Sequence, residues 1–452
     1  MNKSYTPNQI KWLQIILRER LSPKLSLDLM DANHAILTLP NSSKKIIISI
    51  DPDTFYRKDS NLPIFIWQPS TEGLSPSPLS TKLPLPGFHE KNAKIITTIK
   101  DGYHINYDFL GLIFWIFNRI EELDRNDLDV LGRFSAYSSH AFKHNYLERP
   151  IIDEWFIIFN QLLKSLWPDL ALRKNKFILN LSHDVDVLSR YRFSNLFKIG
   201  KNMIVDMIKY KNFHSALFAP KIFFDTSDNL HKYDPYNTFE WIMRQSESHN
   251  VKSTFYFICG GTNKKYDAEY NIDHPAVKKL MKRIHERGHI IGLHPSFNSY
   301  ENHDMIKSEA RNLNHICKQI GIEQNTFGSR MHFLRMKYPK TLLGLENANL
   351  TYDSTLSYAD HAGFRCGTCF EYPAYDIIND KILNIRIKPL IAMEHTIISK
   401  NYMGLGLKEK AFNKFYQLKE TCKLVNGVYT LLWHNNQLAT KKEQRLYSSL
   451  LE

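Results

Sequence analysis

Residues 1–172 combine two spacings of apolar side chains. Apolar positions three and four residues apart predict helices at Gln9–Arg20, Phe109–Leu123 and Ile152–Leu166. Alternating apolar and polar positions predict strands at His34–Leu39 and Lys45–Ile50. This mixture predicts that residues 1–172 form a smaller α+β domain.

Two segments of this part stand apart from the periodic ones. Pro69–Gly87 is rich in Pro and Ser, which predicts a stretch without regular structure. Phe109–Phe117 (FLGLIFWIF) is apolar throughout, but its nine residues are about half of what a bilayer-spanning helix needs. We therefore expect a buried helix at this place.

From Lys176 onward, short apolar runs end abruptly in polar residues. Four of these runs predict strands: Phe177–Leu181, Ser253–Cys259, His289–Leu293 and Val428–Trp433. Helical patterns lie between them, among them His274–Arg287 and Asp304–Ile320. Strands that alternate with helices predict a mainly parallel sheet or barrel, so residues 173–452 are expected to form an α/β domain. Catalytic groups of such folds gather at the carboxyl ends of the strands, which predicts that the chemistry lies in this domain.

Length and composition are typical of a globular protein with two domains or more. The chain has 452 residues, of which 43% are hydrophobic and 23% charged. Its five irregularly spaced cysteines argue against a disulfide framework. The opening segment, Met1–Arg20, lacks the apolar stretch of a secretion signal. These features together predict a cytoplasmic location.

The chain is basic, with 59 Lys and Arg against 46 Asp and Glu. Such an excess favours anionic partners, such as an anionic membrane surface, a lipid-linked sugar or a nucleotide sugar. A diffusely basic surface without a specific partner is the alternative. The basic residues are scattered and no nucleic-acid motif accompanies them, so nucleic acid is not expected as a partner.

Two aspartates and two histidines follow predicted strands of the second domain. Asp184 and Asp186 are one residue apart, so in an extended chain both carboxylates point to one face. Such a pair suits a metal ligand beside a general base, and a helix cap or surface acidic pair is the alternative. His294 and His434 each close an apolar run, where an imidazole is either a zinc ligand or a structural hydrogen-bonding group. Four such groups in one α/β unit favour a metal-dependent active site.

Five motifs of this domain occur in a fixed order: LSHDVD (Leu181–Asp186), GHIIGLHPSFN (Gly288–Asn298), Ser329-Arg330, YDSTL (Tyr352–Leu356) and LWH (Leu432–His434). This series resembles the motifs of polysaccharide deacetylases of carbohydrate esterase family 4. The resemblance implies a distorted (β/α) barrel, a divalent metal, with zinc expected, and hydrolysis of an acetyl group from a sugar.

The resemblance also implies roles for individual residues. Asp184 is the expected general base, Arg330 the residue that orients it, and His434 the expected general acid. Asp186 and His294 are the expected metal ligands.

Three further residues are expected to bind substrate: Asp353, Arg365 and Trp433. For Arg365 the expected contact is a phosphate or carboxylate, and a structural ion pair is the equal alternative. The nearby Cys366-Gly367-Thr368-Cys369 has the spacing of a redox or zinc half-site, but no second pair accompanies it. We expect its thiols to be buried or free.

One position departs from the family pattern. The family has a second metal-binding histidine four residues after His294, where this chain has Asn298. Because a neutral amide oxygen is a weak zinc ligand, Asn298 binds a harder metal, or another residue completes the site, or metal binding is lost. His332 in the altered third motif is the expected substitute, ahead of His303 and His183.

The amino-terminal part contributes a resemblance of its own. Its matching segments are Asp108–Leu110, Arg119–Glu122, Gly132–Phe134 and Arg149–Trp155. They resemble an accessory domain that precedes the catalytic unit in a divergent branch of these deacetylases.

We therefore expect a metal-dependent deacetylase that hydrolyses a carbon–nitrogen bond, or an O-acetyl ester, of a bacterial surface-polysaccharide sugar or its precursor. Two alternatives remain open. One is an inactive carbohydrate-binding scaffold, and the other is a metal hydrolase that cleaves a glycosidic or non-sugar amide bond.

Overall fold

The computed structural model of the chain describes residues 4–90, 94–208 and 212–452. Helices and strands alternate along the chain. The amino-terminal elements are α1 (Pro7–Arg20), β1 (Ser26–Leu29), β2 (His34–Thr38), β3 (Lys45–Ser49), α2 (Pro52–Phe55), β4 (Ile64–Trp67), β5 (Leu83–Pro86), β6 (Ile96–Ile99), β7 (Gly102–Ile105), α3 (Phe109–Phe117), α4 (His140–Lys143) and α5 (Ile151–Leu166).

The central elements are β8 (Ile178–Val185), α6 (Leu196–Ile208), α7 (Phe213–Phe223), α8 (Phe239–Ser248), β9 (Ser253–Ile258), α9 (Pro275–Glu286), β10 (Ile290–His294), α10 (His303–Gln319), β11 (Gly328–Ser329), α11 (Lys340–Asn347) and β12 (Tyr352–Asp353). The carboxy-terminal elements are β13 (Tyr372–Asp376), β14 (Lys381–Ile387), β15 (Ala392–Met393), α12 (Glu394–Ile398), α13 (Glu409–Leu424), β16 (Val428–Leu432) and α14 (Lys441–Ser449).

The chain divides into two compact units, each built from separate stretches of sequence. The first unit comprises Met1–Ile178, Leu356–Ile391 and Gln417–Tyr429, and the second comprises Leu179–Thr355, Ala392–Tyr416 and Thr430–Glu452. The division into domains 1–172 and 173–452 stays a prediction.

The first unit contains a five-stranded sheet of order β1-β2-β3-β7-β6 and the antiparallel pairs β4–β5 and β13–β14. Every residue of α3 is buried, which confirms the buried helix expected at Phe109–Phe117. The irregular stretch expected at Pro69–Gly87 is wrong in part, because Leu83–Pro86 forms β5. Prolines are tolerated there since β5 pairs with only one other strand, β4.

The second unit contains the strand order β12-β11-β10-β9-β8-β16-β15. Neighbours from β8 to β12 pair in parallel, as do β15 and β16. This arrangement confirms a mixed α/β fold with a parallel sheet, and the distorted barrel and the accessory role of the amino-terminal part stay predictions. In the described ranges, no helix combines the length and hydropathy that crossing a membrane requires.

Candidate active site

The parallel sheet of the second unit brings five polar side chains to one edge. His294 is the last residue of β10, and Asp186 and Glu394 directly follow β8 and β15. His332 and His434 lie three and two residues beyond the ends of β11 and β16. Because the carboxyl ends of parallel strands meet at the same edge, residues far apart in sequence become neighbours.

Asp184, in β8, and Asp186, directly after it, face the same histidine. Nε2 of His294 lies 3.1 Å from Oδ1 of Asp186 and 3.8 Å from Oδ2 of Asp184. His183, between them, has its Nδ1 2.7 Å from the carbonyl oxygen of Trp433 instead. The strand alternation expected from the sequence is confirmed.

Asp186, His294 and His332 form a compact set of potential ligands. One ligand atom from each lies within 4.8 Å of the others. Nε2 of His332 is 3.7 Å from Oδ1 of Asp186, and this buried oxygen has no hydrogen-bond partner among the residues that the structure describes. A buried carboxylate oxygen without a hydrogen bond needs another partner.

The hydrogen bonds of the two imidazoles indicate what that partner is. Nδ1 of His294 lies 2.5 Å from the carbonyl oxygen of Arg330, and Nδ1 of His332 lies 3.1 Å from Oδ1 of Asp267. Both neighbours are acceptors, so in the metal-binding form each ring would carry its proton on Nδ1 and turn its Nε2 lone pair toward Asp186. Two nitrogen lone pairs and a carboxylate oxygen that converge fit a divalent cation, and two His with one Asp suit zinc.

Without a cation, the same cluster attracts protons. Burial opposes the charged form of His332, but the carboxylates of Asp186 and Asp267 outweigh it and raise its pKa to about 9. Burial favours neutral Asp186, yet the neighbouring imidazoles hold its pKa well below the usual 3.8. A metal therefore has to displace protons from this cluster when it binds.

Arg330 holds the second aspartate. Its Nη1 donates to Oδ1 of Asp184 and to Oγ of Ser182, both at 2.9 Å, and both partners of the ion pair are buried. Nε and Nη2 donate to the carbonyl and hydroxyl oxygens of Ser354, each at 3.0 Å. The guanidinium also lies over the ring of Tyr256, 4.7 Å from its centroid. These contacts fix one oxygen of Asp184 and leave Oδ2 toward His294.

His434 is paired with a carboxylate that the sequence analysis missed. Its Nδ1 lies 2.5 Å from Oε1 of Glu394, and its Nε2 lies 3.4 Å from Oδ2 of Asp186. Burial lowers the pKa of His434, but the charges of Glu394 and Asp186 raise it well above the usual 6.5. The imidazole is thus a proton donor at neutral pH. Glu394 follows a two-residue strand, too short for a periodic pattern to predict.

Asp267 is the other residue that the sequence analysis missed. It is buried in the loop after β9, and the carboxylate also accepts from the backbone N–H groups of Phe297, Thr262 and Asn263, each at 2.7 Å. These bonds fix its orientation toward His332, as carboxylates behind metal-binding histidines do. No motif marks this aspartate among the polar residues of a loop.

The backbone is strained directly after His332. Phe333 and Leu334 have φ values of 59° and 57°, in the left-handed region that such residues rarely adopt. Strain of this kind costs about 1–3 kcal/mol per residue and clusters at functional sites.

The remaining metal-ligand candidates have other partners. Asn298 donates its Nδ2 to the carbonyl oxygen of Thr262 at 3.1 Å. His303 Nε2 lies 2.9 Å from the carbonyl oxygen of Lys340, and burial lowers the pKa of His183 to about 3. The ligand roles considered for these three residues stay predictions.

The three expected substrate-binding residues are all buried. Trp433 stacks on Phe415 and donates its indole N–H to the carbonyl oxygen of Gln437. Asp353 accepts hydrogen bonds from Ser329 and Thr355, and burial raises its pKa to about 6.

Arg365 belongs to the first unit. Its Nε and Nη2 donate to the two carboxylate oxygens of Glu122, at 3.0 and 2.5 Å. The geometry is that of the structural ion pair considered from the sequence, and the substrate-binding roles stay predictions. All five cysteines of the chain are free and buried, as expected for the Cys366–Cys369 segment.

A groove opens beside Asp186 and Asp267. Its lining includes three aromatic and three basic side chains: Phe193, Tyr266, Tyr270, Lys198, Lys264 and Lys265. Tyr270 is buried and Lys198 pairs with Glu269 at 2.7 Å, so Phe193, Tyr266, Lys264 and Lys265 are the aromatic and basic side chains of this lining that remain accessible.

A model described as a family of unknown function (DUF7033) matches residues 15–168. No curated protein matches the chain. Among solved structures, the chain is similar to a putative polysaccharide deacetylase from Mycobacterium smegmatis, with 15% identity and a TM-score of 0.38 over 63% of this chain and 84% of that one. It is also similar to Puue allantoinase, with 10% identity and a TM-score of 0.36 over 63% and 84% of the two chains. A probable polysaccharide deacetylase from Pseudomonas aeruginosa PAO1 has 10% identity and a TM-score of 0.35 over 61% and 84%. Similarities this weak decide neither fold nor activity, so the geometry of the site carries the functional conclusion.

Proposed function

We propose that the second unit is a metal-dependent hydrolase that removes an acetyl group from an N-acetylated sugar. The observation that carries the proposal is the convergence of Nε2 of His294 and His332 on Oδ1 of Asp186, with both Nδ1 atoms held by acceptors. These three residues would hold a divalent ion, zinc by preference for this ligand set. When bound, such an ion polarises a carbonyl group and lowers the pKa of water.

Asp184 supplies the base in this proposal. Arg330 occupies Oδ1, so Oδ2, 3.8 Å from Nε2 of His294, is the oxygen available to accept a proton from the attacking water. Arg330 also holds the carboxylate in one orientation. A fixed orientation favours general-base catalysis, which depends first on the position of the base.

His434 supplies the acid on the other side of Asp186. Glu394 keeps its imidazole charged, and Nε2 is the atom from which a proton passes to the leaving amine. An amine must be protonated as it leaves, because an amide anion is a very poor leaving group. The base–acid pair therefore suits an amide bond.

The same residues argue against a glycosidase. Glycoside hydrolysis needs one carboxyl group that stays protonated as the acid. Asp186 is surrounded by imidazoles that keep its pKa low, and Asp184 is paired with buried Arg330. Neither carboxyl group is suited to donate a proton.

The groove supports a sugar as substrate. Its partly exposed aromatic residues Phe193 and Tyr266 line the groove together with Asp186, and the exposed Lys264 and Lys265 suit an anionic substituent. The order of motifs from LSHDVD to LWH supports the acetyl group as the part removed.

The test is acetate release from N-acetylated sugars and oligosaccharides by protein loaded with zinc, cobalt or manganese. We expect activity that Asp184→Asn and His434→Ala each reduce by about 100-fold or more without loss of metal. His315→Gln, at an exposed histidine, is the matched control. Full metal content without acetate release from any N-acetylated substrate would contradict the deacetylase assignment and favour another hydrolase. Absence of both bound metal and acetate release would favour the carbohydrate-binding scaffold.

A further inference from the structure

Helices α6 and α7 form a part of the second unit that is apolar on the outside as well as the inside. Of the 20 large hydrophobic residues that are exposed among the described residues, eight lie between Leu196 and Phe224. They are Leu196, Phe197, Ile204, Met207, Ile208, Phe213, Leu217 and Phe224. We call these eight side chains, together with Lys198, Lys201 and Lys221, the α6–α7 face.

The exposed residues follow helical spacing. On α6, Phe197, Ile204 and Ile208 share the side opposite the buried Ile199 and Asp206. On α7, Phe213 and Leu217 are four residues apart and lie away from the buried Ala219. Phe197 is 85% exposed and Leu217 is 77% exposed, although such side chains are normally covered in a globular protein.

The inner side of the same two helices is well packed. Ile199, Ala219 and Ile222 form one apolar cluster with Tyr191. Beneath it, Arg190 and Asp206 form a buried ion pair, with Nη2 and Oδ1 2.5 Å apart. The exposed apolar side chains therefore belong to anchored helices and not to a loose segment.

The charge of this segment is one-sided. Residues 195–224 contain five lysines and a single acidic residue, Asp206, which is already paired inside. Lys201 and Lys221 are exposed on the two helices beside the apolar stripe. A helix with apolar residues outward and lysines at their flanks is typical of proteins that lie in the interface of an anionic bilayer.

A second copy of the chain fits this face less well. In a twofold contact the same surface meets itself, so lysines would face lysines. Lys198 pairs with Glu269 at 2.7 Å, and no exposed carboxylate lies within residues 195–224 to pair with Lys201 and Lys221. Like charges placed across an interface disfavour the contact.

We propose that the α6–α7 face docks the protein on an anionic lipid surface. The apolar side chains enter the boundary between headgroups and acyl chains, and the exposed Lys201 and Lys221 meet the anionic headgroups. Lys198, on α6, also lines the groove beside Asp186, so the docked face borders the candidate active site. Docking then brings the candidate active site to substrate held at the membrane surface. This consequence rests on the proposed function, whereas the docking itself does not.

The test is co-sedimentation of the full chain with vesicles of phosphatidylcholine that contain phosphatidylglycerol as the minor component, compared with vesicles of phosphatidylcholine alone. We expect binding to the anionic vesicles to be at least about tenfold stronger. Phe197→Ser/Leu217→Ser should weaken binding by about tenfold or more, because two large apolar side chains no longer insert. Val130→Ser/Ile378→Ser is the matched control, since both residues are exposed in the first unit and should leave binding unchanged.

Two further variants separate the possible explanations. Lys201→Gln/Lys221→Gln should reduce binding to anionic vesicles severalfold and leave the weak binding to neutral ones unchanged. Asp186→Ala should abolish hydrolysis and keep full vesicle binding, so failure of the catalytic proposal is distinguishable from failure of this one. Equal binding by the Phe197→Ser/Leu217→Ser variant and the wild-type chain overturns docking by this face. Docking is also overturned if the wild-type chain does not bind vesicles and instead sediments as a dimer that Phe197→Ser/Leu217→Ser, but not the control variant, dissociates.

Discussion

The ion pair between Arg330 and Asp184 allows the sharpest energetic prediction. Both side chains are buried, with 0% and 3% of their surface exposed. Arg330→Met removes hydrogen bonds to Asp184, to Ser182 and to two oxygens of Ser354, and leaves the Asp184 carboxylate without its cation. Breaking a buried pair from one side costs about 3–5 kcal/mol of unfolding free energy.

The second half of a double-mutant cycle tests the reason for that loss. Asp184→Asn leaves the guanidinium with three neutral acceptors, so we expect a smaller loss of about 2 kcal/mol. In Arg330→Met/Asp184→Asn, no unpaired charge is left behind. The double variant should therefore be about 1–3 kcal/mol more stable than the sum of the two losses predicts.

The assay is urea unfolding of metal-free protein at pH 7, followed by tryptophan fluorescence and circular dichroism. The control cycle uses the exposed pair of Lys278 and Asp273, whose side chains are 27% and 62% exposed. Exposed pairs couple by less than about 1 kcal/mol. A coupling between Arg330 and Asp184 no larger than that of the control cycle would refute the view that this buried pair orders the base.

Three other perturbations have defined outcomes. Glu394→Gln keeps a hydrogen-bond acceptor for His434, and the second oxygen of Glu394 has no hydrogen-bond partner among the described residues. We expect the pKa of His434 to fall and the alkaline limb of the pH–activity profile to move to lower pH, so an unmoved limb would speak against the pairing of Glu394 with His434. Asp267→Asn weakens the hydrogen bond that orients His332 and should raise the metal dissociation constant about 10- to 100-fold in competition with a chelator. An unchanged constant would show that Asp267 does not contribute to metal binding. Burial raises the pKa of Glu309 to about 7, so the folded state binds more protons than the unfolded one between pH 4.5 and 7, and its contribution to stability is lost as pH rises through that window. In urea titrations at pH 5 and pH 8, Glu309→Gln should reduce the difference in unfolding free energy between the two pH values by up to about 3 kcal/mol. An unaltered difference would assign the pH dependence to other groups.

The parts of the fold that follow periodic patterns were predictable from the sequence. Ser253–Cys259 corresponds to β9, and His274–Arg287 and Asp304–Ile320 correspond to α9 and α10, within one residue at each end. These elements bury one face or both, so their apolar spacing carries the information. His294 ends β10, close to where the pattern placed it, whereas β8 runs to Val185, four residues beyond the predicted strand Phe177–Leu181, so Asp184 lies inside the strand.

Where local side-chain contacts override the pattern, the prediction was wrong. The helix expected at Phe109–Leu123 ends at Phe117. Arg119 adopts a left-handed φ of 48°, and its guanidinium donates to the carboxylates of Glu121 and Glu122. Apolar spacing does not report such a polar stop.

The site was predictable only as far as each side chain is marked by its own strand or motif. His332 was expected as a substitute because it lies close to Arg330 in sequence, and the structure places it beside Asp186 and His294. Asp267 lies in a loop and Glu394 follows a strand of two residues. Their roles depend on tertiary contacts with His332 and His434, which a single sequence does not contain.

The most direct test is the metal content of the purified chain after equilibration with zinc, measured by mass spectrometry of the element. We predict close to one equivalent in the wild-type chain and in Asn298→Ala, whose side chain is hydrogen-bonded to Thr262, and loss of binding in Asp186→Ala and His332→Ala. Metal retained by His332→Ala but lost in Asn298→Ala would assign the third ligand to Asn298. No metal in the wild-type chain would contradict the central claim that Asp186, His294 and His332 form a metal centre.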